Sequence, residues 1–196
     1  MSVVPAVTVE HWFDFICPHC YVAQDRNRIL RRHGLHLVGH ALQIHPEIGP
    51  GGAFVGPRSG PTYEFLAREA ELAGLPMRWT DRIPYSRPAL AAFEWLRGSR
   101  PEVAERFATA VFDAYFGEGL DIESDDLLVR LAEEAGGDGD ALRAARASAE
   151  AALVQSEHLA RERGVTSTPT WIAGSQRISG VHPRRWFEDW AAALTR

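Results

Sequence analysis

The sequence contains no lysine and only two cysteines. Its 21 basic residues are all arginine and stand against 26 acidic residues, which gives a formal net charge of −5. Proteins that bind nucleic acid normally carry a basic face, so this balance argues against a nucleic-acid partner.

Long apolar runs are also missing from the chain. No segment is apolar over the length that a membrane span requires, so we expect no membrane partner. The segment Met1–Val7 has no basic stretch, no long apolar run and no small-residue cleavage site. We therefore expect no secretory signal and a cytoplasmic location.

The chain does contain enough apolar residues for a substantial core, with 45% hydrophobic residues in a length of 196. One domain, or one domain with a large insertion, is expected at this length. The pattern predicts a strand through Ile16, a helix from Pro18 and a strand over 36–44, joined as a parallel crossover. Helical patterns follow, up to a long helix over 140–163. A strand hairpin over 170–178 and a final helix complete the order.

Both cysteines lie in one motif, Cys17-Pro18-His19-Cys20, between the first predicted strand and the first predicted helix. Unpaired amides and the helix dipole favour a thiolate at a helix N-terminus. We therefore expect Cys17 to be the nucleophile and Cys20, one turn deeper, to be the thiol that resolves a mixed disulfide. His19 adds a nearby donor or positive charge. The pattern predicts thiol–disulfide exchange.

Two other interpretations of the cysteine pair stay open. A structural zinc site needs two further ligands, and His36 and His40 follow the pair at a finger-like spacing. That segment is a predicted strand, however, and four residues of a strand span about 13 Å, too far for both rings to reach one metal. We therefore expect no bound metal. The pair could also be buried and inert, although a position between a strand and a helix is typical of reactive cysteines.

A second signal lies far along the chain, where Thr168 and Pro169 directly precede a predicted strand. An X-Pro bond can be cis at modest cost, and a cis proline makes a sharp turn. Such a turn would leave the backbone of Thr168 free to bind an extended peptide. The alternative is an ordinary trans proline at the start of a strand.

These motifs resemble those of a known family. The run Phe13–Tyr21, with its Cys-Pro-His-Cys core, resembles the active-site segment of DsbA-type thiol–disulfide oxidoreductases of the thioredoxin superfamily. The segment 168–170 is similar to the cis-proline loop of that family. The segments Gln43–Glu47 and Ala114–Gly119 resemble parts of its cytoplasmic FrnE-like branch.

The resemblance implies an α/β thioredoxin-like fold with a helical domain inserted between its strand–helix–strand half and its strand-hairpin–helix half. Residues 1–61 and 151–196 would form the thioredoxin-like domain, and residues 62–150 the helical insertion. Thr168 and Pro169 would lie beside the disulfide and hold the substrate.

The resemblance also implies roles within the motif. Cys17 is similar to the nucleophile, Cys20 to the resolving thiol and His19 to the residue that tunes both, with Pro18 in support. No cofactor is implied beyond the redox-active disulfide, although glutathione could serve as a co-substrate. Relatives often place a buried acid a few residues before the first cysteine, and here His11 stands there. It could relay protons near neutral pH, although a packed core residue is the more common case.

Rival functions share this resemblance. Kappa-class glutathione transferases and hydroxychromene-carboxylate isomerases have the same fold but typically present a serine where this chain has Cys17. A non-catalytic module that binds a ligand near Pro169 is a more distant alternative. For an oxidoreductase, the partners would be protein or small-molecule thiols and disulfides. The direction of exchange, the substrate, the recycling partner and the choice between monomer and homodimer stay open.

Overall fold

The computed structural model describes residues 7–196. Most of the N-terminal segment considered for a secretory signal, and the first residues of the predicted thioredoxin-like domain, lie outside the described residues. The strands within the described range have the following bounds: β1 Thr8–Phe13, β2 His36–Ala41, β3 Ala53–Phe54, β4 Arg82–Ile83, β5 Thr170–Ala173 and β6 Gln176–Ser179.

Four strands form one mixed sheet in the order β2-β1-β5-β6. β1 pairs with β2 in parallel, as the predicted crossover requires, and with β5 antiparallel. β5 and β6 form the predicted hairpin. β3 and β4 make a separate two-stranded sheet that the sequence analysis did not predict. β2 is therefore an edge strand of the main sheet.

The first helix, α1, spans Pro18–Arg32 and connects β1 to β2. Proline at its first position costs no hydrogen bond because that amide would be unpaired in any case. Two arginines in the last turn complement the helix dipole, and Gly34 follows the end of the helix with a φ of 79°. Both ends of α1 agree with the prediction.

The other helices lie C-terminal to β2 and have the following bounds: α2 Pro61–Leu72, α3 Arg87–Ser99, α4 Pro101–Phe112, α5 Asp125–Glu134, α6 Gly139–Ala144, α7 Arg146–Glu162 and α8 Arg184–Leu194. A π-helical segment, Asp113–Glu118, continues α4. No helix in the described range is long and apolar enough to cross a membrane.

The single long helix predicted over 140–163 is wrong. The helix is interrupted at Ala145, which caps the end of α6 and the start of α7 and has a φ of −91° and a ψ of 12°. The two pieces have different packing partners, since α6 lies against α5 whereas α7 lies against α3 and β2. One straight helix could not meet both partners. α7 also runs across position 150/151, where the predicted domain boundary lies.

The two faces of the main sheet are covered by different helices. Apolar residues of α1 and α8 pack on one face around the fully buried Trp171. Residues of α7 and the segment after it pack on the other face around Trp12. A larger core runs from the end of β1 through α3, α4 and α5. The C-terminal end of β1, where the two cysteines follow, therefore meets the helical part of the chain.

Candidate functional site

Cys17 occupies the N-cap position of α1, with the extended backbone of a φ of −83° and a ψ of 112°. A turn precedes it, in which the Cys17 amide donates to the carbonyl of Asp14 at 3.1 Å. The Cys17 carbonyl in turn accepts from the amides of Cys20 and Tyr21. The turn therefore ends β1 earlier than the predicted Ile16 and places the Cys17 sulfur at the positive end of the helix.

Both cysteines are free thiols in this structure and both are buried. Cys17 is 5% exposed and Cys20 is 0% exposed, so only the first has a path to solvent. The order in which Cys17 meets the substrate and Cys20 acts after it stays a prediction.

The surroundings of the two sulfurs move their pKa values in opposite directions. A hydrogen bond from the Cys20 thiol is the largest cause that lowers the pKa of Cys17 well below that of a free thiol. Burial opposes this shift, and hydrogen bonds from His19 and Thr168 add smaller lowering contributions. Burial raises the pKa of Cys20 well above the usual value, and the neighbouring Cys17 adds to the rise. The pair is therefore arranged as a thiolate next to a protonated thiol.

The loop before β5, the strand that pairs with β1, completes the site. Its Thr168–Pro169 peptide bond is cis, and Cys17 Sγ lies 3.4 Å from the Thr168 carbonyl, to which it can donate only in its protonated form. The Pro169 carbonyl accepts from the amide of Gly180, which fixes the loop to the strand hairpin. The structure thus brings Thr168 to Cys17, although the two are 151 residues apart in sequence.

Asp14 is a residue of the site that the sequence analysis missed. Its carboxylate is fully buried and accepts backbone hydrogen bonds from Ile16 at 3.2 Å and Ile44 at 3.0 Å. Burial raises its pKa to about 6, and the charge of Cys17 adds to that shift. The available signal was an acid inside the otherwise apolar run 12–16, because a buried carboxylate needs dedicated partners.

His11 lies on the neighbouring part of β1 and does not contact the cysteines through a hydrogen bond. Its ring stacks between Phe13 and Trp171 and is 4% exposed. Burial lowers its pKa to about 3, and the charge of Arg31 contributes. The ring is therefore neutral near pH 7. This is the environment of a packed core histidine, and the role of His11 as a proton relay stays a prediction.

The zinc alternative finds no support among the residues that the structure describes, because no group of three or more potential ligands is placed to hold a metal. His36 and His40 lie on β2, as the strand prediction requires. His40 is buried against Trp12, with ring centroids 4.7 Å apart. Its position is thus explained by packing.

Comparison with known proteins gives relatives along most of the chain. The uncharacterized YwbO protein of Bacillus subtilis (strain 168) is 24% identical over 191 residues, which cover 93% of this chain and 94% of YwbO. The 2-hydroxychromene-2-carboxylate isomerase of Sphingobium xenophagum is 28% identical over 143 residues, which cover 69% of this chain and 71% of that protein.

A solved structure shows the same architecture. The crystal structure of a probable DsbA oxidoreductase from Streptomyces coelicolor is 25% identical, has a TM-score of 0.76, and covers 96% of this chain and 89% of its own. The predicted thioredoxin-like fold with inserted helices is therefore confirmed. A family model described as a DSBA-like thioredoxin domain matches residues 8–189. The chain belongs to the DsbA-like thioredoxin domain family.

Proposed function

We propose that the protein exchanges thiols and disulfides through Cys17 and Cys20. The observation that carries the proposal is the opposite environment of the two sulfurs: one is a stabilised thiolate at a helix N-terminus, and the other is a buried thiol beside it. A thiolate is the attacking species in disulfide exchange, and its fraction sets the rate of attack.

The exchange proceeds in two steps. The Cys17 thiolate attacks one sulfur of a substrate disulfide, forms a mixed disulfide and releases the other substrate sulfur as a thiolate. The Cys20 thiol then loses its proton and attacks the Cys17 sulfur, which releases the second substrate sulfur. The substrate is reduced by two electrons and the Cys17–Cys20 pair is oxidised by two. The reverse sequence oxidises a dithiol substrate.

The substrates in this proposal are protein or small-molecule disulfides and thiols, with glutathione as a candidate co-substrate. The Thr168 carbonyl lies beside Cys17 in the loop before β5, and an extended substrate segment can pair with the backbone of this loop. We propose a cytoplasmic location, in which a reducing thiol pool would keep the pair reduced and favour work as a reductase or isomerase.

The first test is the alkylation rate of Cys17 by iodoacetamide between pH 3 and pH 9. We expect the rate to stay high at mildly acidic pH, because the thiolate persists there. Alkylation is measured in the Cys20→Ser variant, in which Cys17 is the only thiol left. In a separate assay, Cys17→Ser should reduce insulin with glutathione or dithiothreitol no faster than the uncatalysed reaction. Full insulin-reducing activity in Cys17→Ser, or alkylation of Cys17 like that of free cysteine, would contradict the proposal.

A second candidate is a glutathione-dependent isomerase, because one relative is a 2-hydroxychromene-2-carboxylate isomerase. That chemistry activates bound glutathione and needs no resolving thiol. The two functions therefore differ in their response to Cys20→Ser. Exchange activity should be lost in this variant, with mixed disulfides accumulating, whereas glutathione-dependent isomerisation should survive.

A further inference from the structure

The segment that follows β2 starts beside the turn that carries Cys17. β1 and β2 are parallel neighbours, so both chains leave the sheet at the same edge. The Ile44 amide donates to the Asp14 carboxylate at 3.0 Å, which ties the start of this segment to the turn that precedes Cys17. We call residues 44–51 the strap.

Ile48 turns the strap toward the protein interior. Its side chain is 9% exposed and belongs to the same apolar core as Ile16 and Cys17, whereas residues 45–47 are exposed. The Ile48 amide donates to the His45 carbonyl at 3.1 Å, so the chain bends back at this point. The strap therefore has a charged outer side and an apolar residue in the core that contains Cys17.

The far end of the strap is held by a charged pair. The Gly51 carbonyl accepts from Arg82 Nε at 2.9 Å and also from Arg82 Nη2. The Gly51 amide donates to Glu123 Oε1 at 2.8 Å, and Arg82 Nη2 lies 3.4 Å from Glu123 Oε2. Both backbone polar groups of Gly51 are thus bound by one ion pair. We call Arg82 and Glu123 the clamp.

The clamp is anchored outside the strap. Arg82 Nη1 lies 2.8 Å from Asp121 Oδ2 in a further ion pair. The Arg82 carbonyl accepts from the Thr80 hydroxyl at 2.7 Å and from the Tyr115 hydroxyl at 3.3 Å. The position of Arg82 is therefore fixed by contacts that do not involve the strap.

The backbone beside the clamp requires glycine. Gly51 has a φ of 90° and Gly52 a φ of 64°, a region that residues with a Cβ rarely adopt. A Cβ on Gly52 would lie 2.3 Å from the Ile83 carbonyl oxygen, so glycine allows the start of β3 to approach β4. This close approach is a second contact that holds the end of the strap.

Access decides which disulfides Cys17 can attack, because its sulfur must reach one sulfur of the substrate. Cys17 is 5% exposed, and the Thr168 carbonyl lies 3.4 Å from its sulfur. A small-molecule disulfide needs a narrow opening, whereas a disulfide on a folded protein brings the surrounding surface with it. A segment that covers Cys17 therefore acts as a size filter.

We propose that the strap covers Cys17 and that Arg82 is the positioning residue that keeps it closed. The closed strap favours disulfides of small molecules over disulfides on the surface of a folded protein. This proposal names a substrate class for Cys17 and therefore rests on the proposed function. Arg82 takes no part in the exchange of sulfur bonds.

Two maleimides of different size measure the opening of the strap. N-Ethylmaleimide is small, and N-(1-pyrenyl)maleimide carries a wide ring system on the same reactive group. Both rates are measured in Cys20→Ser, in which Cys17 is the only thiol. We expect the ratio of the pyrenyl rate to the ethyl rate to be at least about tenfold lower than for N-acetylcysteine, because the bulky reagent reacts only with the open form. Equal ratios would overturn the proposal.

Arg82→Ala in the same background should raise this ratio by about fivefold or more, because the hydrogen bonds to Gly51 and the ion pairs are lost. The ethyl rate should stay unchanged, whereas a general loosening of the fold would raise both rates. Arg143→Ala removes another exposed arginine, which pairs with Asp126 at 2.8 Å, and serves as the matched control. An unchanged ratio in Arg82→Ala, or an equal rise in Arg143→Ala, would refute the clamp.

Gly52→Ala loosens the strap without removing a charge, and decides the matter if Arg82→Ala does not fold. Its Cβ does not fit against the Ile83 carbonyl, so the ratio should rise. Gly49→Ala is the matched control, because nothing lies within 4 Å of a Cβ at that position. Equal ratios in the two variants would count against the strap as the cover of Cys17.

The ethyl rate separates a failure of this proposal from a failure of the proposed function. An ethyl rate like that of free cysteine at mildly acidic pH would contradict the proposed exchange, while the ratio would still test the strap. A high ethyl rate together with a ratio that responds neither to Arg82→Ala nor to Gly52→Ala would refute the strap and leave the exchange in place.

Discussion

The segment from β1 through α1 contains two buried groups with a lowered pKa, Cys17 and His11, but the consequences are opposite. At the N-terminal end of α1, hydrogen bonding from Cys20 lowers the pKa of Cys17 and creates a charge. Beside the middle of the helix, burial lowers the pKa of His11 and keeps its ring uncharged near pH 7. The first site is built to hold an anion, and the second to keep a ring neutral.

The difference comes from which protonation state the neighbours favour. Cys20 and His19 donate hydrogen bonds to Cys17, and these stabilise its deprotonated form. His11 accepts a hydrogen bond on Nδ1 and lies near the positive Arg31, so its protonated form would lose the first and meet repulsion from the second. The direction of a pKa shift therefore shows what a buried group does only when the partners that cause the shift are known.

The largest expected effect comes from removing the Cys20 hydrogen bond, which is the main cause of the lowered pKa of Cys17. Cys20→Ala should stop turnover, trap mixed disulfides and raise the pKa of Cys17, because the largest stabilising contribution is removed. Cys20→Ser keeps a donor and should raise that pKa less. Thiolate absorbance at 240 nm against pH measures both, and an unchanged Cys17 midpoint in Cys20→Ala would show that the helix terminus alone stabilises the thiolate.

A smaller effect concerns stability and the buried histidines of the sheet. Burial lowers the pKa of His40 to about 4 from an ordinary value of 6.5. Its stabilising contribution is therefore complete above pH 6.5 and is lost as the pH falls toward 4, because the unfolded chain takes up the proton first. Between pH 7 and pH 5 this loss amounts to about 2 kcal/mol.

His40→Phe should keep the stacking on Trp12. Its free energy of unfolding should fall by about 2 kcal/mol less than that of the wild type between pH 7 and pH 5, as measured by urea unfolding. The surface variant His158→Phe is the matched control. Identical losses in His40→Phe and the wild type would mean that His40 is protonated in the folded protein.

The smallest expected effect lies at Asp14, between the two regions. Its pKa of about 6 means that it gains a negative charge near Cys17 as the pH rises through that value. Because Cys17 is already a thiolate in this range, Asp14→Asn should change its alkylation rate around pH 5–7 by no more than about twofold. A several-fold change of that rate in Asp14→Asn would show that the carboxylate acts directly on the thiolate.

Much of the fold followed from local signals in the sequence. Pro18 at the first helical position and Gly34 after the last turn set the bounds of α1, because each acts through the backbone alone. The hairpin of β5 and β6 followed from its turn residues in the same way. The break at Ala145 was missed because it depends on two packing partners that are distant in sequence.

The thiol site was predictable in part. Cys17 and Cys20 are close in sequence and follow a strand, so their placement at a helix N-terminus needed no tertiary information. Asp14 was missed because its role depends on the amide of Ile44, which is brought to it only when β2 pairs with β1. The sequence pattern indicated His11 as the possible equivalent of the acid, whereas Asp14 is the buried carboxylate of this region.

The sequence by itself determined that two thiols stand at the start of a helix, because neighbouring residues are held together by the chain. Only the tertiary structure decided that Thr168 lies at Cys17, that Asp14 is buried near it, and that Arg82 and Glu123 bind the backbone of Gly51. Those arrangements depend on desolvation and on contacts between distant segments, and neither exists until the sheet and the inserted helices have packed together.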